Sequence, residues 1–347
     1  MNATIKYGFR LLLLVVFGLS ACSGIGNLPA PDEGGASEDE VITLTINTST
    51  NMSFAPVFIA EAEGYFEEAG VELDYVTLNR GSDALPLLVT GEFDVYGGGL
   101  LAATLNTVGA EEFVKVVADR GHISPDDECA YHGILVQKDL YDSGQVAGPA
   151  DFAGLTIDST ASGPSGYVLD TYLAQAGLTF DDVELVRLPE TSYVDAFSNA
   201  AIDALINQEL RLSWVLNTGD AVLLVSSAEV VGVYQTSVMT VGKSILEDNR
   251  DAGVRFLIGY LRGVRQYNEG KTDRNLEILT AATGETEETL RAACWVPIDP
   301  EGWIDFANGV APFVEWNVDQ GLLDASISED QFWDPSLLQE ALKALDQ

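Results

Sequence analysis

The chain has 347 residues, 54 Asp+Glu against 17 Lys+Arg, a formal net charge of −37, and only two His and three Cys. At roughly 100–200 residues per domain this length holds about two domains, and 47% hydrophobic residues rule out a disordered chain. The negative surface excludes a nucleic-acid binder and a polybasic membrane-surface protein, and the few His and Cys exclude a His-rich zinc site or an iron–sulfur cluster.

Residues 1–22 read as an export signal: Lys6 and Arg10, an apolar run from Leu11 to Leu19, then Ser20-Ala21-Cys22. The run is too short to span a bilayer. Its ending resembles a bacterial lipoprotein signal, which implies cleavage before Cys22 and lipid attachment to Cys22. Loss of Lys6 and Arg10 leaves 15 basic against 54 acidic residues, a net of −39. Residues 23–40 are rich in Gly, Pro, Ser and acids without apolar periodicity, a flexible tether reaching roughly 21–25 Å. Cys129 and Cys294 remain, and in an oxidising compartment they are candidates either for a disulfide or for two buried thiols.

From Val41 strands and helices alternate. Strands are expected at 41–47, 71–78, 93–98 and 113–120, with a helix between each pair. An irregular acidic stretch, 121–130, follows. Strands resume at 133–138, 154–160, 183–188, 201–207, 221–227 and 233–241, again with helices between most of them. The tail is helical, over 244–269, 272–283, 285–294, 300–320 and 336–345. The helix at 251–269 puts Val254, Leu257, Ile258, Leu261, Val264 and Tyr267 on one face. The alternation predicts an α/β protein of two lobes, each a mainly parallel sheet flanked by helices. The lobes are 41–131 with 229–347, and 132–228 inserted between them. The helical C-terminal tail packs on the first.

Ligands of such sheets bind beyond the carboxyl ends of the strands. That rule selects Asn51, Met52, Ser53 and Phe54 after the first strand, and Tyr96, Gly97 and Gly98 after the third, where bare backbone lets a ligand approach. In the second lobe it selects Ser162, Gly163 and Ser165, which open a helix and serve equally as its caps, and Gln208. Arg120, at a strand end by the crossing, is the candidate partner for an anionic ligand. One arginine against several rings and glycines favours a neutral or zwitterionic solute with a flat or apolar portion. His122 and His132 bracket Asp126, Asp127 and Glu128, a stretch read as a solvated acidic loop with no metal. No GxGxxG, Walker A, GxSxG or HExxH motif occurs. Neither a cofactor nor catalysis is expected.

Several stretches carry a family likeness: SFAPVFIAEAEGYFEEAGVELDYV (53–76), LVTGEFDVYGGGLLA (88–102), VKVVADRG (114–121), DFAGLTIDSTASGPSGYVLDTYLAQAGL (151–178) and TVGKSILEDN (240–249). Across about 41–345 the chain resembles extracytoplasmic solute-binding proteins of ABC importers, in the branch for sulfonates, taurine, nitrate and thiamine precursors. The resemblance implies a monomeric two-lobed clamp that closes on a small molecule and delivers it to a membrane permease and its ATPase. With the lipid on Cys22 it implies a receptor held on the outer side of a membrane. Two other readings remain: a clamp-shaped biosynthetic enzyme of the thiamine-precursor synthase type, and a ligand-sensing subunit of a membrane receptor. The chain departs from the branch in its acidic loop, in lacking the Cys-rich motif of those synthases, and in having Asn207-Gln208-Glu209-Leu210 where a Trp-Glu-Pro-like stretch is common.

Overall fold

The computed structural model describes residues 41–78 and 80–346, so the expected signal, Cys22 and the tether lie outside the described residues. Ten strands occur among them: β1 (Ile42–Asn47), β2 (Val71–Val76), β3 (Val95–Gly99), β4 (Lys115–Ile123), β5 (His132–Gln137), β6 (Thr156–Asp158), β7 (Glu184–Val186), β8 (Ala204–Gln208), β9 (Ala221–Ser226) and β10 (Tyr234–Val241). They form two five-stranded sheets, ordered β2-β1-β3-β10-β4 and β7-β6-β8-β5-β9.

Each sheet is mixed rather than mainly parallel. β1 pairs parallel with β2 and β3, and β6 parallel with β7 and β8. β10 lies antiparallel between β3 and β4, and β5 antiparallel between β8 and β9. The physical reason is the route of the chain. A strand reached through a covering helix returns parallel, whereas β5 and β10 are each entered from the other sheet, with no such crossover to fix their direction. Strand alternation in the sequence carries no sign of pairing direction.

The helices are shorter than periodicity predicts. The first splits into Ala55–Ala62 and Tyr65–Glu68. The 244–269 segment holds one turn, Ser244–Asp248, and then a separate helix, Arg250–Tyr267, whose start is capped by the Asn249 side chain accepting from the Ala252 N–H at 3.2 Å. This helix buries Phe256, Leu257, Tyr260, Leu261 and Val264, all at 0% exposure, and Phe256 stacks on Phe66 with ring centroids 5.5 Å apart. At about 1.5–3 kcal/mol per fully buried large apolar side chain, it is a principal fastener of the first lobe. Of the expected 300–320 helix only Phe306–Val310 and Ala311–Asp319 form. Cys129 and Cys294 are joined by a disulfide that ties the loop after β4 to the segment following the helix Glu287–Ala292.

Candidate functional site

The carboxyl end of β1 runs through Thr48–Asn51 into a short turn, Met52–Phe54, and on into Ala55–Ala62. The Asn47 side chain, 3% exposed, clamps the neighbouring strand: its amide donates to the Gly97 carbonyl at 3.0 Å and its oxygen accepts from the Gly97 N–H at 2.8 Å. A Cβ on Gly97 would stand 2.8 Å from the Phe54 ring, and one on Gly98 would stand 1.8 Å from the Tyr96 ring. The glycines are therefore needed, because rings of the chain itself pack where a Cβ would stand. Met52, Ser53, Phe54 and Tyr96 are all buried, and Met52 belongs to the apolar core.

Arg120, on β4, is 1% exposed, with its guanidinium carbon 5.6 Å from the centre of the Phe54 ring. Its Nε and Nη1 have no hydrogen-bond partner among the described residues. The adjacent Asp119 offers it none. One oxygen accepts from the Gly121 N–H (2.7 Å) and the Gln235 amide (2.6 Å), the other from the Asp299 N–H (2.8 Å), with His122 Nδ1 also at 2.8 Å. Desolvation pulls the Arg120 pKa down, and nearby Tyr260, Tyr96, Tyr131 and Asp119 partly restore it. Tyr131 is buried in the same region, beside Ser53. Its hydroxyl also lacks a partner, and burial pushes its pKa up to about 12. A buried guanidinium without a counter-charge costs several kcal/mol. Donors so placed call for an acceptor, and an oxyanion supplies both acceptor and charge.

In the second lobe a cavity of about 520 Å³ opens at the carboxyl ends of β6 and β8, lined by Asp158, Ser159, Thr160, Ser165, Arg187 and Asn207 among others. Ser162 stands before the helix Gly163–Ala174 in extended conformation, but its side chain makes no cap bond and is exposed. Ser165 faces the cavity and donates to the Ile206 carbonyl at 3.1 Å. Gln208 sits in the ladder opposite His132, and its neighbour Asn207, not Gln208, lines the cavity.

The lobes meet at several points around these clusters. Arg211 Nη1 donates to Asn51 Oδ1 at 3.2 Å, which makes Asn51 a contact between lobes. A Cβ on Gly163 would lie 3.6 Å from Leu101. The Cys294 N–H donates to Glu209 at 3.1 Å, and Trp316 Nε1 donates to Asp170 at 2.8 Å. Tyr167 of the second lobe packs on Tyr234, Phe313 and Trp316 of the first, with centroids 5.6, 5.4 and 5.5 Å away.

The structure thus gathers Ser53, Phe54, Tyr96, Gly97 and Arg120 at one edge, and Ser165 with Asn207 at the other. Sequence reasoning missed Asn47, Tyr131 and Asp158. Two of them, Asn47 and Asp158, are polar residues closing buried strands, and that pattern is the signal that could have found them. Among the described residues no group of three or more His, Cys, Asp or Glu is placed to hold a metal ion.

The family described as NMT1/THI5 like matches residues 51–269. A putative aliphatic sulfonates-binding protein of Bacillus subtilis is 26% identical over 259 residues, covering 73% of this chain and 71% of its own. The periplasmic aliphatic sulphonate binding protein SsuA from Escherichia coli aligns with TM-score 0.65 at 18% identity, covering 85% of this chain and 92% of that one. The periplasmic nitrate-binding protein NrtA from Synechocystis aligns at 0.66 and 16%, covering 88% and 90%. The desulfurization enzyme DszB aligns at 0.61 and 16%, covering 88% and 99%. At such identities the solved structures speak for the fold alone. With the family match spanning more than half of its length, the chain belongs to the NMT1/THI5-like family.

Proposed function

We propose that the chain is the solute receptor of an ABC import system. It captures a small organic anion between its lobes and hands it to a membrane permease driven by an ATPase. The observation that carries the reading is Arg120, fully buried over Phe54, with two unpartnered donors and no carboxylate partner among the described residues. The sulfonate- and nitrate-binding relatives support it. The buried charge shifts the solute from the neutral or zwitterionic molecule favoured by residue counting to one with an anionic head. In this reading residues 41–131 and 229–347 form the lobe that holds the head, 132–228 closes over the tail, and contacts to both favour the closed state. Cleavage before Cys22 and lipid attachment there tether a monomer outside the cytoplasmic membrane.

A thermal-shift screen across sulfonates, carboxylates, nitrate and neutral pyrimidines tests it. A true solute at about 100 times its dissociation constant adds roughly 2.7 kcal/mol of stability. Stabilisation by neutral compounds alone would refute the anionic head. Because the fold also carries a desulfurization enzyme, each stabilising compound is then incubated with the protein, and its conversion would refute the receptor reading.

A further inference from the structure

We propose that the first lobe carries a second binding site, a cavity between the helices Ala55–Ala62 and Asp273–Thr283 that takes a small amine with an aromatic or branched alkyl body. The inference does not depend on the anionic head at Arg120.

The cavity holds about 510 Å³, against the roughly 150 Å³ that suffices for a benzene ring. It opens at the carboxyl ends of the parallel neighbours β1 and β2, with Thr48 just past the end of β1 and Tyr75 near the end of β2. Its walls are apolar: Phe58 from the first helix, and Ile278, Ala281 and Ala282 from the second. The two alanines leave the room that larger side chains would fill. The cavity and the anion site are neighbours without a shared lining. Phe58 meets Phe54 edge-on, with ring centroids 5.3 Å apart, but neither Phe54 nor Arg120 lines the cavity.

The polar groups select the charge of the ligand. Glu61, Glu277 and Arg274 line the cavity, and the cation among them is already engaged: Arg274 pairs with Glu63 at 2.6 Å and with Glu277 at 2.9 Å. Glu61 has no basic partner among the described residues. Burial and then the neighbouring Glu72 carboxylate raise its pKa, and Tyr75 beside it pulls the other way. The Tyr75 hydroxyl is itself buried and closes no hydrogen bond in good geometry among the described residues. An apolar body entering the cavity strips water from both groups. A neutral ligand leaves that loss uncompensated, and an anion adds repulsion. An ammonium pairs with Glu61, offsets the Glu72 charge and can donate to the Tyr75 oxygen.

The test is calorimetric titration of the full chain at neutral pH with 2-phenylethylamine, 2-phenylethanol and ethylamine. The first has ring and ammonium together, and each of the others keeps only one of them. Wild type is expected to bind 2-phenylethylamine roughly tenfold or more tighter than either of the others, about what one hydrogen bond to a charged group returns. Glu61→Gln should bring 2-phenylethylamine down to the level of 2-phenylethanol. Ala281→Trp, a change at an exposed position that fills the cavity, should abolish binding of both ring-bearing probes. Arg120→Met should leave all three isotherms as they are. Failure of 2-phenylethylamine to bind, or equal binding of 2-phenylethanol, would overturn the ammonium site. Equal binding of ethylamine would show attraction by the acidic surface alone and overturn the cavity. Unchanged amine affinity in Glu61→Gln or Ala281→Trp would overturn the placement. Loss of amine binding in Arg120→Met would place the amine at the anion site and overturn a second one.

Discussion

Arg120→Met should leave the unliganded protein at least as stable while removing its solute binding. The wild-type guanidinium is dehydrated, lacks partners at Nε and Nη1, and has no carboxylate to pair with among the described residues. Replacing buried charges by apolar side chains of similar volume is neutral or stabilising by about 1–4 kcal/mol. Against this stands the lost contact with the Phe54 ring, about 2 kcal/mol for a desolvated pair, of which a Met sulfur on the same ring returns about 1 kcal/mol. The net is a gain of roughly 0–3 kcal/mol. At about 2 °C per kcal/mol for a body of this size, the melting temperature should hold or rise by up to roughly 6 °C. Differential scanning calorimetry reads it, with and without a stabilising anion. Wild type gains about 2.7 kcal/mol at 100 times the dissociation constant, and the variant gains nothing. A loss of about 3–5 kcal/mol in the unliganded variant would refute the reasoning, since that is the cost of removing one member of a satisfied buried pair.

His132 is fully buried against the Ser227 hydroxyl at 2.6 Å, and burial lowers its pKa to about 4. The unfolded chain therefore takes up the proton first. Relative to His132→Gln, wild type should lose roughly 3 kcal/mol as pH falls from about 6.5 to 4 and nothing above that window, as urea titrations will show; parallel curves would contradict it. Gly98→Ala drives a methyl into the Tyr96 ring and should cost about 1–3 kcal/mol, whereas Gly148→Ala, with open space around it, should cost far less. Cys129→Ser with Cys294→Ser should lower stability by about 2–5 kcal/mol, because the bridge spans 165 residues; denaturant midpoints of the two proteins measure it. At a net charge near −39 the melting temperature should climb as monovalent salt rises to molar levels, and a flat response would count against self-repulsion as a cost to this fold.

The order of strands and helices was legible because period-two and period-3.6 patterns are local, and the two-lobed α/β class followed from it. Pairing direction was not, because β5 and β10 owe their orientation to where the chain enters each sheet. Gly97 and Gly98 announced a close approach, yet the rings that pack against them, Phe54 and Tyr96, are fixed only by folding and cannot be named from the linear pattern. Arg120 stood out as a scarce positive charge. That it lacks a carboxylate depends on Asp119 being claimed by Gly121 and His122 close by in the chain and by Gln235 and Asp299 through long-range packing, none of it visible in the linear pattern. Asp158 and Asn207 matter through the cavity they share, and cavities have no sequence signature.

The central claim, that the clamp binds an organic anion without transforming it, is tested most directly by calorimetric titration of wild type with the organosulfonate giving the largest thermal shift. The account predicts heat that saturates at one solute per chain and vanishes in Arg120→Met. Sustained heat after saturation, the mark of turnover, or an unchanged isotherm in the variant would contradict it.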